Sequence, residues 1–259
     1  MQARKFLTPC TAALLLAAAI PVQAASPDSA RYEFRYEAYY TGLLIAEAKT
    51  TLAVGGGRYD IEVHALSSGI LDWFITFDQL ATSAGSLGGA PQAERHRNHN
   101  RARDNWIDLR FTGGAIEILD ANPDPKTEED RPPVPAELLE GVTDPLSGML
   151  AAGFGAVSTD QCKAVVPVYD GRRRYDTVLE DRRREVYTGP FGAAPALVCS
   201  FRFERIAGYT EKAKQYPGLT GDIWLQQLGD GLPMLPVRME IQTKYGIGYI
   251  HMVSADKTS

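Results

Sequence analysis

The chain has 259 residues, 44% of them hydrophobic and 23% charged, with a formal net charge of −5. That balance excludes an intrinsically disordered chain, and a net-acidic protein is a poor partner for nucleic acid. Its 24 glycines, 16 prolines and 12 tyrosines point to many short strands joined by tight turns.

Residues 1–24 read as a secretory signal. Arg4 and Lys5 form the positive start, Leu14 to Ile20 the short apolar run, and Val22-Gln23-Ala24 the small-residue end that a signal peptidase reads. Cleavage is expected near Ala24 or Ala25, leaving residues 25–259 as one periplasmic domain, more acidic by the two charges lost. The apolar run is shorter than the roughly 20 residues of a membrane span, and no later stretch reaches that length. No transmembrane anchor is therefore expected in the mature form. Cys10 precedes the apolar run instead of following it, so lipidation is not expected there.

The mature chain opens with a period-2 pattern. Tyr32, Phe34, Tyr36, Ala38 and Tyr40 share one face, and Arg31, Glu33, Arg35 and Glu37 the other. After Gly42 a second strand runs from Leu43 to Val54, and beyond Gly55-Gly56-Gly57 the alternation resumes from Arg58 to His64. Short glycine turns make this an antiparallel meander, because parallel neighbours need a longer crossover. Ser67 to Phe74 breaks the pattern and reads as a turn or short helical corner carrying Trp73 and Phe74. Ile75 to Ala84 is strand-like, and Gly85 to Pro91 is a loop.

Arg95 to Arg103 is a polar strand with His96 and His99. Trp106 to Phe111 and Ala115 to Leu119 form a hairpin around Gly113-Gly114. The Pro-rich, acidic stretch from Asp120 to Pro135 opens a solvated excursion over about 120–143. One helix follows: Asp144 caps it, Pro145 suits the first turn, and Leu146, Met149, Leu150 and Phe154 recur at helical spacing. Gly153 and Gly155 are expected to stop it, and the helix to cover an open end of the sheet. Strands return at 163–169, 172–180, 196–206, 222–228, 237–244 and 247–253, with Asp170-Gly171 predicting a two-residue hairpin turn. The fold class is all-β: an antiparallel curved sheet or barrel-like fold of roughly a dozen strands with one short covering helix.

Cys162 and Cys199 each share the apolar face of their strand, and export places them in an oxidising compartment. A structural disulfide between them is expected to contribute on the order of 4 kcal/mol by closing its loop.

With these elements in order, the chain resembles the exported bacterial family catalogued as domain of unknown function 3108. The resemblance rests on the Tyr-rich first strand with Gly42, on Ser68-Gly69-Ile70-Leu71-Asp72-Trp73 and on Asp144-Pro145-Leu146-Ser147. It continues through Tyr169-Asp170-Gly171-Arg172-Arg173-Arg174-Tyr175, Cys199, Gly208-Tyr209 and Pro236-Val237-Arg238. It implies export and an antiparallel β architecture and, by analogy of shape alone, a likeness to periplasmic carriers of lipoproteins and lipids.

Chemistry is sparse. His96 and His99 lie on opposite faces of a strand amid four arginines, a poor cation site, so they read as a solvated polar strand with no metal. His64 and His251 stand alone. No nucleophile elbow, zinc-binding helix or phosphate loop is present, and no cofactor is expected. Arg172-Arg173-Arg174 and Arg182-Arg183-Arg184 interleave with acids and read as a self-neutralising hairpin face. The aromatic rows, Tyr32, Phe34, Tyr36 and Tyr40 with Trp73 and Phe74, are core first, and line a ligand pocket if the sheet curls around an unfilled interior. The function expected is a non-enzymatic periplasmic protein of unassigned specific role, whose partner is a lipophilic small molecule or another cell-envelope ligand. An envelope scaffold that binds another protein, and a hydrolase, are the alternatives.

Overall fold

A computed structural model describes residues 29–69, 76–128, 130–216, 218–243 and 245–258. The signal segment, Trp73 and Phe74 lie outside the described residues. Seven strands come first: β1 (Ala30–Tyr40), β2 (Leu43–Gly55), β3 (Arg58–Ser67), β4 (Asp78–Ser86), β5 (Gln92–Asn100), β6 (Asn105–Thr112) and β7 (Ala115–Asn122). The helix α1 (Pro145–Thr159) then precedes β8 (Ala164–Tyr169), β9 (Arg174–Gly189) and β10 (Gly192–Ala207). A four-residue helix α2 (Glu211–Lys214) and three strands, β11 (Thr220–Gln227), β12 (Met234–Thr243) and β13 (Gly246–Lys257), complete the order.

All of these strands join one antiparallel sheet of 13 strands, in the order β7-β6-β5-β4-β3-β2-β1-β13-β12-β11-β10-β9-β8. Sequence neighbours are sheet neighbours except β7 and β8, which form the two free edges, and β1 pairs with β13 to tie the two ends of the domain together. The sheet is thus a meander cut once, between β7 and β8. The polypeptide between those two edge strands supplies what fills the cut.

Register aligns a buried row across six strands: Tyr32, Leu52, Ile61, Ser83, His96 and Leu109 stand directly opposite one another from β1 to β6. From Leu52 to Leu109 the row is at most 2% exposed. Leu150 of α1 is buried in the same cluster as Phe34, Leu52, Ile61, Val198, Val237 and Met252, and α1 touches β4, β8 and β12. The helix therefore fills the concavity of the curled sheet. A second cluster joins Ile107 and Leu109 of β6 to Tyr169 of β8, with Val134, Leu139 and Val142 packed on it. The segment after β7 is thus anchored at the seam by apolar side chains; it also forms short 3-10 turns at Pro125–Thr127 and Ala136–Leu139.

Three local expectations are corrected. Helix α1 runs through Gly153 and Gly155 to Thr159, because Gly153 serves close packing: a Cβ there would meet the Met234 carbonyl oxygen at 2.4 Å. The Asp170-Gly171 turn has four residues, since Tyr169 pairs with Arg174 and the Asp170 carboxylate accepts the Arg172 and Arg173 N–H groups at 3.0 and 2.7 Å. His96 is 1% exposed and faces the core instead of solvent.

Candidate functional site

The cut in the sheet leaves a groove of about 940 Å³ between the β6–β7 hairpin on one side and β8 with α1 on the other. Phe111, Ile116, Val142, Val165, Val166 and Pro167 supply apolar wall, while Glu94, Arg95 and Arg110 lie along the β5 and β6 flank. Those charges are already paired: Arg95 with Asp108 at 2.7 Å, Arg110 with Glu117 at 3.1 Å, and Glu94 with Arg58 at 2.6 Å. Val165 is 63% exposed, unusual for a valine on a regular strand. The free edge of β8 is only partly covered, by backbone bonds between Thr143 and both Pro167 and Tyr169. Pro167 within an apolar run was the available sequence signal for an edge, because proline cannot donate to a ladder. Nothing in sequence spacing brings the β6–β7 hairpin to it.

Beneath the groove, the N-terminus of α1 is bolted to the sheet by a buried polar network. Asp144 caps the helix, its Oδ1 accepting the Leu146 and Ser147 N–H groups at 2.9 and 3.0 Å. Ser83 Oγ donates to Asp144 Oδ1 at 2.6 Å and lies 2.8 Å from His96 Nδ1. Ser147 Oγ donates to Asp144 Oδ2, and Tyr59 Oη lies 2.5 Å from Ser147 Oγ. With both hydroxyls donating to the carboxylate, Tyr59 donates to Ser147 and His96 Nδ1–H to Ser83. Burial pushes the Asp144 carboxyl up, but its hydrogen bond and charge interaction with His96 and its bonds to Ser147 prevail and hold it below the ordinary carboxylate range. Burial also pushes the Tyr59 phenol up, which keeps it a donor.

Serine, histidine and aspartate thus converge, but not as a nucleophile and its base. Catalysis needs a histidine nitrogen that accepts the serine proton while the other ring nitrogen meets the carboxylate. Here Ser83 Oγ–H donates a hydrogen bond to Asp144 and accepts one from His96, and His96 Nε2 is buried with no partner among the described residues. Asp144 and Ser147 are 0% exposed, so no substrate reaches them. This network anchors the helix; the 48-residue gap between His96 and Asp144 hid it in the sequence.

The aromatic candidates fall into separate environments. Phe34 is 1% exposed and inside the core; Tyr32 and Tyr36 pack against it. Tyr40 Oη lies 3.3 Å from Thr243 Oγ1. None of these four lines the seam groove. Cys162 and Cys199 form the disulfide, with Cα atoms 6.1 Å apart, and Asp181 accepts the Cys162 N–H at 2.7 Å. The arginine triplets find acids, among them Arg172 with Glu128, Arg174 with Asp176, Arg182 with Asp222 and Arg184 with Asp160. The guanidinium groups of Arg183 and Arg238 lie over the Trp224 ring, 5.7 and 4.9 Å from its centroid. Among the described residues no three His, Cys, Asp or Glu side chains gather as a metal site, and no helix is long and apolar enough to cross a membrane.

Fold and site together define a class: a wide, antiparallel, barrel-like sheet curled around a single helix and left open along one seam. Residues 35–253 match the family described as Protein of unknown function (DUF3108), and the chain belongs to that family. Among solved structures it is similar to a beta-barrel-like protein of domain of unknown function DUF1849 from Brucella abortus. That likeness has 10% identity and a TM-score of 0.54, and covers 90% of this chain and 98% of that one. It shows the fold alone. A protein described as a lipoprotein from Parabacteroides distasonis aligns at 12% identity over 87% of this chain and 94% of that one, and its TM-score of 0.36 carries no argument. No curated protein matches the chain.

Proposed function

We propose that this is a non-enzymatic periplasmic protein that holds a lipophilic ligand of the cell envelope in the seam groove. The observation that carries the reading is the groove itself. It is a concavity of about 940 Å³, apolar along β8 and at Phe111 and Ile116 and charged along the β5 and β6 flank, where the sheet does not close between β7 and β8. Apolar concavities of several hundred Å³ with a few polar groups are the usual form of small-molecule sites. The signal-like first 24 residues and the disulfide support export. The buried serine–histidine–aspartate network supports a binding role over a hydrolytic one, because its protons run toward the carboxylate and its members are closed to solvent.

Native mass spectrometry of protein purified from periplasm, followed by solvent extraction, tests the reading. A discrete mass adduct that extracts as a lipid is the expected result. A clean apo mass, with nothing lipophilic in the extract, would remove the basis for it. The envelope-scaffold alternative instead predicts protein crosslinks through the β7 and β8 edges from an apo protein.

A further inference from the structure

A second concavity lies at the seam, apart from the apolar groove and opposite to it in chemistry. Its volume is about 240 Å³, room for about eight waters at about 30 Å³ each, which accommodates one sugar ring with an acidic group. One wall is a patch of amides on the core face of β4, β5 and β6. Gln79, Asn100 and Asn105 stand opposite one another in register, and Asn98 is one step along. Gln79 Nε2 donates to Asn98 Oδ1, and Asn100 Oδ1 accepts the Arg103 N–H at 3.1 Å. Asn98 Nδ2, Asn100 Nδ2 and the Asn105 amide have no protein partner among the described residues.

The other wall is cationic. Arg103 comes from the β5–β6 turn, Arg131 from the segment after β7, and Arg172 and Arg173 from the β8–β9 turn. Carboxylates hold three of these groups, and backbone carbonyls take further donors: Arg131 Nη1 donates to the Gly208 oxygen at 2.9 Å and Arg172 Nη2 to the Pro123 oxygen at 2.6 Å. Glu128 receives Arg172 Nε at 2.5 Å and Arg131 Nε at 2.7 Å, and Asp170 receives Arg173 Nε at 2.8 Å. Arg103 forms no ion pair among the described residues. Four guanidinium groups therefore face two carboxylates, in a protein whose net charge is negative. Gly171 suits the close approach of the two walls: its φ of +92° is one that L side chains rarely adopt, and a Cβ there would stand 2.2 Å from Ile107 Cδ1 and 2.8 Å from its Cγ1.

We propose that this cleft is a binding site for a monosaccharide-sized acidic sugar, one carrying a carboxylate or a phosphate. Preorganised guanidinium groups are the side chains best matched to such an anion, and amides with unspent donors and acceptors pair with ring hydroxyls. Neither wall alone distinguishes a sugar from a bare anion; together they do. The site is independent of the lipophilic groove and stands or falls separately.

Titration of the mature protein with glucuronate, glucose 6-phosphate, glucose and inorganic phosphate, followed through the Asn, Gln and Arg side-chain N–H resonances, tests it. Saturable binding of both acidic sugars is expected, with glucose and phosphate each weaker by on the order of tenfold. Arg103→Gln and Asn98→Ala, neither of which touches the Asp170 or Glu128 supports, should each weaken the acidic sugars by about tenfold. No saturable binding of either acidic sugar up to about 10 mM would overturn the proposal. So would phosphate binding as tightly as glucose 6-phosphate, or full affinity in both variants.

Discussion

A Cβ on Gly153 would meet the Met234 carbonyl oxygen at 2.4 Å and Pro233 Cβ at 2.9 Å, whereas one on Gly155, two residues along the same helix, meets nothing within 4 Å. The pair separates packing from helix propensity. Gly155→Ala should stabilise the protein by about 0.5–1 kcal/mol, because alanine loses less backbone entropy in a helix. Gly153→Ala should instead cost about 1–3 kcal/mol, since a backbone carbonyl cannot move aside as a side chain can. Urea denaturation of the two variants checks both signs. Asp144 makes a second prediction at this scale. Its folded carboxyl sits below its ordinary value, so its stabilisation is complete above the unfolded pKa of about 3.9 and is lost as pH falls through that value and then the folded one. Asp144→Asn should cost about 3 kcal/mol at pH 7 and should flatten the loss of stability below about pH 4. Unfolding curves across that range, wild type against variant, measure it; parallel curves would contradict the role given to the carboxylate.

At the scale of elements, α1 is held at both ends: by Asp144 on β4 and β5 at its start, and by the bridge from Cys162 to Cys199 of β10 just past its end. The bridge closes a loop with a sequence separation of 37, worth about 4 kcal/mol by chain entropy, so Cys162→Ser with Cys199→Ser should lower stability by up to that amount. Non-reducing peptide mapping should show the two cysteines joined, and free thiols at both would contradict the structure. Much of this level was legible in the sequence. Alternation in β1 to β3, glycine turns, the Asp144-Pro145 start of the helix and the paired cysteines all report local rules that tertiary contacts left unchanged. What failed to show was set by partners distant in the chain. The far half of β9 is exposed from Glu180 to Arg184, so no apolar alternation marks it, and it is held by charge pairs such as Arg202 with Glu180. His96 looks solvated beside four arginines because the Asp144 that buries it arrives with the helix. Gly153 reads as a helix stop because the β12 carbonyl that demands it is invisible locally.

Over the whole molecule, the sheet order and the inserted segment determine where a ligand could lie. A meander that pairs β1 with β13 must leave its free edges at β7 and β8, and α1 fills the concavity but not the seam. Phe34, with Tyr32 and Tyr36 packed against it, serves the core, and the lipophilic site proposed here lies at the seam, where Val165 is exposed on the edge strand. Exposure makes Val165 a clean probe, since Val165→Asp puts a charge on the groove wall with little effect on the buried core. The most direct measurement is titration of the delipidated protein and of Val165→Asp with a long-chain acyl probe whose fluorescence rises on leaving water. The account predicts saturable one-to-one binding by the wild type and affinity lower by on the order of tenfold in the variant, with unchanged unfolding curves. Absence of saturable binding by the wild type, or equal affinity in the two proteins, would contradict it.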